Sequence, residues 1–560
     1  MTVLKRSELN SLPDVEEFRR RGFWKGKLLV DYFDERCSEN PDKTALIDSR
    51  GSLTYGEVYA RTRCLAMSFA RLGIGAGDVV AVQAPNWSEL IISHLALDRI
   101  GTIFLPLHDG FRHQEMHHIL SKSHAKALIF PASYHGFEHR ELVDKLRSEL
   151  PELRHVVVMR SEAREGELAF ETLATEECFE EQKGKSLLAD RRPDPSEPLQ
   201  VMVSSGTTSL PQCSVFCDNA QAFKIRDHFG SYACHLGPDD IAAAIAPAGT
   251  GATGYSYAML APLLHGGTSV LLERWSGNAS AEALDLITKY RCTYAVVIPT
   301  QLVKLVNTPG IDDYDFSSLR FITNAGAKLA PSVAEAAERL FGCVVQTIYG
   351  ATDAGVPTMT TIDDPANKRR TVGRVLEGQD LMIVDDKGHP VGEEIPGEIW
   401  WRGANAGFGY LNSPEATKAI WDDDGWYHSG DIGVMDGDGY LSIVGRKKDM
   451  IIRGGRNISP GKIEEILLLH SKVMDVAVIP VLQEELGEIA CAVVIPNPKM
   501  DKPTLAELNE FLLAEEYAVW LQPERLELVD DFPRNVGGKV DKSKLAVAVK
   551  ARPSATGNAL

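Results

Sequence analysis

The sequence predicts an α/β protein in which a large N-terminal domain of layered sheets and helices precedes a small α+β domain. Two observations carry this. Short β-branched runs alternate with helix-length amphipathic stretches, the pattern of strands crossing over through helices. Residues 445–459 are dense in Gly, Arg and Lys and follow a hairpin signal, Asp436-Gly437-Asp438-Gly439. That segment marks a boundary between residues 1–447 and 448–560, with a hinge at 446–449.

In chain order, Gly73-Ile74-Gly75-Ala76-Gly77 follows a helical stretch and reads as its stop and turn, not as a dinucleotide fingerprint, which needs a strand before it. VVAVQAP from Val79 reads as a strand, and the run from Trp87 to Gly101 as a helix. Apolar runs from Ala295, Phe321 and Val344 each end in small or polar residues, where α/β folds gather their chemistry. Past the boundary come strands from Val473 and Ile489, a helix near 504–516 and a last helix after Val540.

The chain has 560 residues, with Lys+Arg 59 against Asp+Glu 78 and a net charge of −19. Such an excess argues against a nucleic-acid partner and against docking on an anionic membrane, since both need a basic footprint. A hydrophobic share of 44% with 24% charged residues supports a large core. Nine cysteines without a CxxC pair, and an N-terminus without an apolar run, predict a reduced, cytoplasmic protein. The uncharged stretch Ile241–Leu264 is long enough to span a bilayer. Its three Gly and two Pro, with only five Leu or Ile, make it the buried floor of a site instead.

Other signals are set aside. His113, His117 and His118 have metal-like spacing, but Glu115 is misplaced for HExxH, and a polar helix face is expected. Asp436 to Gly439 lacks the remaining ligands of a calcium loop. There is no GxxxxGK[ST] run.

One constellation remains. Ser204-Ser205-Gly206-Thr207-Thr208 follows a strand-like LQVMV and offers backbone N–H groups and hydroxyls to an anion, as a phosphate cradle does. Tyr349-Gly350-Ala351-Thr352-Asp353 combines an aromatic plate, a hydroxyl and a carboxylate suited to Mg²⁺. Gly425 to Asp431 ends in a carboxylate that can pair with two ribose hydroxyls. Gly445 to Asp449 and Pro533 to Lys539 add cations on flexible backbone.

In this order the segments resemble the adenylate-forming superfamily of acyl-CoA synthetases, aryl-acid AMP ligases and luciferases. The likeness covers nearly the whole chain and is strongest to the medium-chain fatty and alicyclic acid CoA ligases, through ATGY (252–255), NAGAKL (324–329) and RKKDMIIRGGRNISP (446–460). It implies a mobile small domain on a hinge at Lys448. It further implies that Ser204 to Thr208 wrap phosphates and that Gly326, Ala327, Tyr349, Gly350 and Ala351 hold adenine. Asp431 and Arg446 would hold the ribose. Thr352 would touch the α-phosphate, Asp353 and Thr208 would coordinate Mg²⁺, and Lys539 would stabilise charge between acid and α-phosphate. The acid would lie against Gly249, Gly251, Ala252, Thr253, Gly254 and Ala325, and coenzyme A against Arg453, Gly454, Gly455 and Arg456. A carboxylate is a poor electrophile, so it is first joined to AMP; a thiol then expels the AMP. ATP or acyl-AMP, Mg²⁺ and CoA are the implied cofactors.

Three departures from the family pattern stand out: Gln212-Cys213 replaces Lys-Gly at the end of the phosphate loop, Cys217-Asp218 replaces Thr-His, and Asp353 replaces Glu. Asp353 draws its carboxylate back by about 1.5 Å. Losing a cation beside a triphosphate costs about 1–4 kcal/mol, and Asp218 adds a negative charge. Three readings stay open: a ligase complete in both steps, a thioesterification specialist fed acyl-AMP by a separate adenylating enzyme, and a non-catalytic acid- or adenylate-binding protein. The Gly and Ala run from Ala246 to Gly254 predicts room for a bulky hydrophobic acid, and Gly454-Gly455 between arginines favours free CoA over a carrier protein.

Overall fold

The structure, a computed structural model, describes residues 15–175, 188, 190–204, 210–249, 251–276, 278–453, 456–483, 487–515, 517–535 and 540–550. Among these residues two largely parallel sheets build the N-terminal domain. The first has seven strands in the order Cys213–Cys217, Pro198–Val203, Ile103–Leu107, Val79–Gln83, Ala127–Pro131, His155–Met159 and Leu168–Ala169. Its central strands are buried at every position, as parallel strands covered on both faces must be, and their sequences are accordingly continuous apolar runs. A second sheet has nine strands, with Phe321–Ala325 parallel to both Tyr294–Val297 and Val344–Ala351.

Helices between the sheets close the main core. Helix Tyr55–Arg71 begins at Thr54, whose hydroxyl accepts from the Glu57 N–H while the Glu57 carboxylate accepts from the Thr54 N–H. Its apolar face, with Leu65 and Phe69, shares one buried core with Leu90 and Ile91 of the neighbouring helix Ser88–Asp98. That second helix is buried all round, which explains its apolar sequence and makes its polar residues conspicuous. Helix Pro331–Phe341 starts on Pro331 and stops at Gly342, which takes the left-handed φ of 65°.

A four-stranded antiparallel sheet, Gln379–Val384, Gly397–Gly403, Tyr427–Met435 and Leu441–Arg446, completes this domain. Strand Gly397–Gly403 alternates buried and half-buried residues, as expected with one face on the core. The hairpin at Asp436 to Gly439 forms as expected: the Asp436 carboxylate accepts from the N–H groups of Asp438 and Tyr440. A short turn, Lys447–Asp449, then leads into the C-terminal domain. There a five-stranded sheet carries apolar clusters on both faces. Helices Leu505–Ala514 and Lys542–Lys550 lie close to where the sequence pattern puts them.

His113 and His117 project from helix His113–Ser123 toward Glu149, at 2.7 and 3.9 Å, and among the described residues the three do not converge as a metal-ligand group. Within segment 241–264 the described residues include strand Ile241–Ala244 and helical turns from Gly254 to Leu264. Among the described residues no helix is long and apolar enough to cross a membrane.

Candidate active site

Strands of the second sheet end at the candidate site. Gly326 and Ala327 are exposed immediately past strand Phe321–Ala325, Gly326 with a φ of 92°. Tyr349, Gly350 and Ala351 close strand Val344–Ala351, and Thr352 and Asp353 follow in its turn. Tyr349 Oη donates to Asp431 Oδ2 at 2.8 Å, and Arg446 Nε lies 2.9 Å from Asp431 Oδ1. Asp431 and Arg446 are register partners across the strands Tyr427–Met435 and Leu441–Arg446, so sheet geometry fixes the pair. Burial, then the Asp431 charge, pushes the Tyr349 phenol well above its ordinary range, so it stays a donor. The three residues expected to hold adenine and ribose thus form one chain of charge-assisted bonds.

The two ends of the phosphate loop meet by reciprocal bonds. The Ser204 N–H donates to the Gln212 carbonyl at 2.9 Å, and the Gln212 N–H donates to Ser204 Oγ at 3.0 Å. Ser205, Gly206, Thr207 and Thr208 lie outside the described residues. Past the loop, Ser214 Oγ donates to Asp353 Oδ1 at 3.1 Å, tying the metal-type carboxylate to the strand that leaves the loop. Cys213 is buried, and burial pushes its thiol up to about 12, so it acts as a small apolar residue.

The departures read differently in three dimensions. Lys122, at the end of helix His113–Ser123, donates from Nζ to Gln212 Oε1 at 3.0 Å. The glutamine length plus that bond places the ammonium up to about 7 Å from the Gln212 backbone, near the reach of a lysine at that position. A second helix therefore supplies a cation beside the loop. Asp218 does not add charge near the loop. It follows strand Cys213–Cys217, roughly 16 Å of extended chain from the loop's end. It is fully buried, with Oδ2 accepting from the Leu29 N–H at 2.8 Å.

The glycines assigned to the acid do not open space by themselves. A Cβ on Gly249 would stand 2.7 Å from His108 Cα; one on Gly251, whose φ is 75°, would stand 2.9 Å from the Pro106 ring. A Cβ on Gly254 would overlap the Ala246 carbonyl oxygen. The residues are small because neighbouring chain fills the room, and the argument from missing side chains to a bulky acid loses its basis. Ala325 is buried at the end of its strand, and Ala252 and Thr253 are half-buried.

In the small domain, Lys448 is exposed in the turn Lys447–Asp449, while Lys447 is bound to Glu398 at 3.0 Å. Arg453 pairs with Glu524 at 2.6 Å and with Arg456 through the strand register. Gly454, Gly455 and Lys539 lie outside the described residues. Lys328 and Glu465 join the two domains at 2.9 Å, beside a cleft lined by Val444, Ser459 and Lys462.

Two lysines escape sequence reasoning. Lys122 carries no motif; its signal is the missing cation at Gln212, some 90 residues away in sequence. Lys224 is 4% exposed, and among the described residues it has no ion-pair or hydrogen-bond partner. Its Nζ lies 5.6 Å from the Phe216 ring centre, and burial lowers it to about 7. The only sequence signal is a lysine set between Phe223 and Ile225.

Residues 33–411 match the AMP-binding enzyme family and residues 462–539 the AMP-binding enzyme C-terminal domain. The chain belongs to this adenylate-forming superfamily of ATP-dependent enzymes. It is 31% identical over 537 residues to the medium-chain fatty-acid–CoA ligase of Escherichia coli (strain K12), covering 96% of this chain and 93% of that one. It is 30% identical over 535 residues to the 2-hydroxy-7-methoxy-5-methyl-1-naphthoate–CoA ligase of Streptomyces carzinostaticus, covering 94% of each. Its fold is similar to that of the anthranilate CoA ligase AuaEII in complex with anthranoyl-AMP, with a TM-score of 0.83, 22% identity, and 94% and 98% of the two chains covered.

Proposed function

We propose that this protein is an acyl-CoA ligase that converts a bulky hydrophobic carboxylic acid into its CoA thioester through an acyl-AMP intermediate. The observation that carries the reading is the Tyr349–Asp431–Arg446 chain, set next to Asp353 and the closed base of the phosphate loop. That arrangement offers one face for adenine, two oxygens for a ribose diol and a carboxylate for Mg²⁺. ATP and Mg²⁺ would supply the activating group and its charge neutralisation. Lys539 is proposed to stabilise the charge that builds on the α-phosphate. The small domain is proposed to turn about residues 446–449 so that Arg453 to Arg456 face the thiol in the second step.

The acid class rests on the relatives, whose named substrates are a medium-chain fatty acid and a substituted naphthoate. Gln212, Cys213 and Asp353 weaken the ATP half of the reaction. Lys122 restores part of the lost charge, so adenylation is slow but present. A second reading, thioesterification of acyl-AMP supplied by a separate adenylating enzyme, draws on the shortened Asp353 carboxylate, which is held back by Ser214.

Incubating the protein with ATP, Mg²⁺, CoA and a panel of linear, alicyclic and aromatic acids, with detection of acyl-CoA by mass, tests the reading. Thioesters of the larger apolar acids are expected. A protein that prefers acetate, or that acylates a phosphopantetheinylated carrier much faster than CoA, would refute the substrate or the acceptor respectively.

A further inference from the structure

His94 and Asp98 stand one turn apart on the buried helix Ser88–Asp98, and Asp218 opens the helix Asp218–Ala222 against it. All three side chains are fully buried, and one ligand-type atom from each lies within 4.8 Å of the other two. His94 Nε2 is 3.5 Å from Asp98 Oδ1. Among the described residues, His94 Nε2 has no hydrogen-bond partner, and the Asp98 carboxyl and Asp218 Oδ1 have none beyond the contact the two carboxyls make with each other. Two carboxyls and an imidazole with open lone pairs, facing one point in a dry interior, are costly unless a cation or a proton sits between them.

Among the described residues no side-chain cation fills that role. Arg99 is committed to both oxygens of Asp34 at 2.8 and 2.6 Å, and Arg192 to both oxygens of Asp31. At His94 a neutral imidazole would offer a lone pair and not a charge. Its other nitrogen, Nδ1, lies 2.5 Å from Tyr255 Oη, and the ring stacks on Phe104 at 4.2 Å. An Nδ1–H given to Tyr255 leaves Nε2 as the free acceptor, the outer-shell arrangement that orients a metal-binding histidine.

We infer that His94 Nε2, Asp98 and Asp218 bind one divalent first-row transition metal ion of the Zn²⁺ class. One imidazole and two carboxylates suit such an ion, and the two negative charges would cancel its own. Bonds of about 2.1 Å require ligand atoms within about 3–4 Å of one another, so side-chain shifts of less than about 1 Å complete the site. The ion would fasten helix Ser88–Asp98 to the far end of strand Cys213–Cys217, whose near end closes the phosphate loop. It acts as a structural clamp and takes no part in the transfer chemistry, so the inference stands apart from the proposed activity.

The test is the metal content of the full chain by mass spectrometry, after growth with Zn²⁺ and exhaustive dialysis, with Asp98→Asn and Asp218→Asn as shape-conserving variants. Wild type should retain about one ion per chain, and each variant should lose it or bind more than about tenfold more weakly. Co²⁺ added to the stripped chain should give visible absorption bands in wild type and not in the variants, with circular dichroism reporting that all remain folded. A wild-type chain that holds no metal overturns the inference; melting points raised by both Asn changes would then mark a carboxyl pair sharing a proton. Metal retained undiminished by both variants overturns it as well.

Discussion

Lys122 Nζ lies 3.0 Å from Gln212 Oε1, so the ammonium missing from the loop's own sequence stands beside it on another element. Lys122→Ala is expected to slow acid-dependent pyrophosphate exchange by about tenfold to a hundredfold, the equivalent of about 1–3 kcal/mol. Adding Gln212→Lys to Lys122→Ala should recover most of the loss, because charge returns to the same place from the other side. Kinetics at saturating acid measure both. A double variant no faster than Lys122→Ala would show that the two positions do not share one role.

Asp431 accepts from Tyr349 and faces Arg446 at once. Asp431→Ala strands a half-exposed guanidinium and removes the diol partner, so the KM for ATP should rise at least tenfold. Tyr349→Phe deletes one bond and should cost about 1 kcal/mol, a few-fold in the same constant. An unchanged KM in Asp431→Ala would exclude the ribose assignment.

Much of this arrangement was legible in the residue pattern and part of it was not. Buried parallel strands announce themselves as apolar runs, so Val79–Gln83 and Phe321–Ala325 could be placed, and with them the turns that carry Gly326 and Asp353. Asp431 and Arg446 could be paired by motif, and the sheet makes them register neighbours. Asp218 was misplaced because nearness in sequence to the phosphate loop is not nearness in space: an extended strand carries it away. The glycines at 249, 251 and 254 were misread for a related reason. A missing side chain signals either room for a ligand or room already taken by backbone, and only packing tells which. Lys122 and Lys224 escaped notice because their partners, or the lack of them, are tertiary facts.

Lys224 predicts a pH dependence of stability. Its folded pKa, lowered by burial to about 7, lies below the unfolded value near 10.5, so between these values the unfolded chain holds the extra proton. Stability contributed at this position therefore rises with pH across that window. Lys224→Met should be more stable than wild type at pH 6.5, with the gap narrowing by about 1.4 kcal/mol per pH unit above pH 7. Urea melts of both proteins from pH 6.5 to 9.5 measure it, and a gap independent of pH would mean the amine is charged throughout.

The turn Lys447–Asp449 is the short link between the four-stranded and five-stranded sheets. Lys448→Pro fixes one φ there. Acyl-CoA formation from supplied acyl-AMP should fall by more than tenfold while pyrophosphate exchange changes little, provided rotation separates the two steps. Equal loss in both would point to misfolding of the turn, and no loss in either would exclude rotation about it.

Pyrophosphate exchange in the unmodified protein, run beside its conversion of synthetic acyl-AMP to acyl-CoA with the same apolar acid, tests the two-step ligase most directly. Slow exchange that requires the acid, with faster thioester formation from acyl-AMP, is the predicted result. Thioester formation with no exchange at saturating ATP and Mg²⁺ would contradict it and leave a thioesterification enzyme fed from elsewhere.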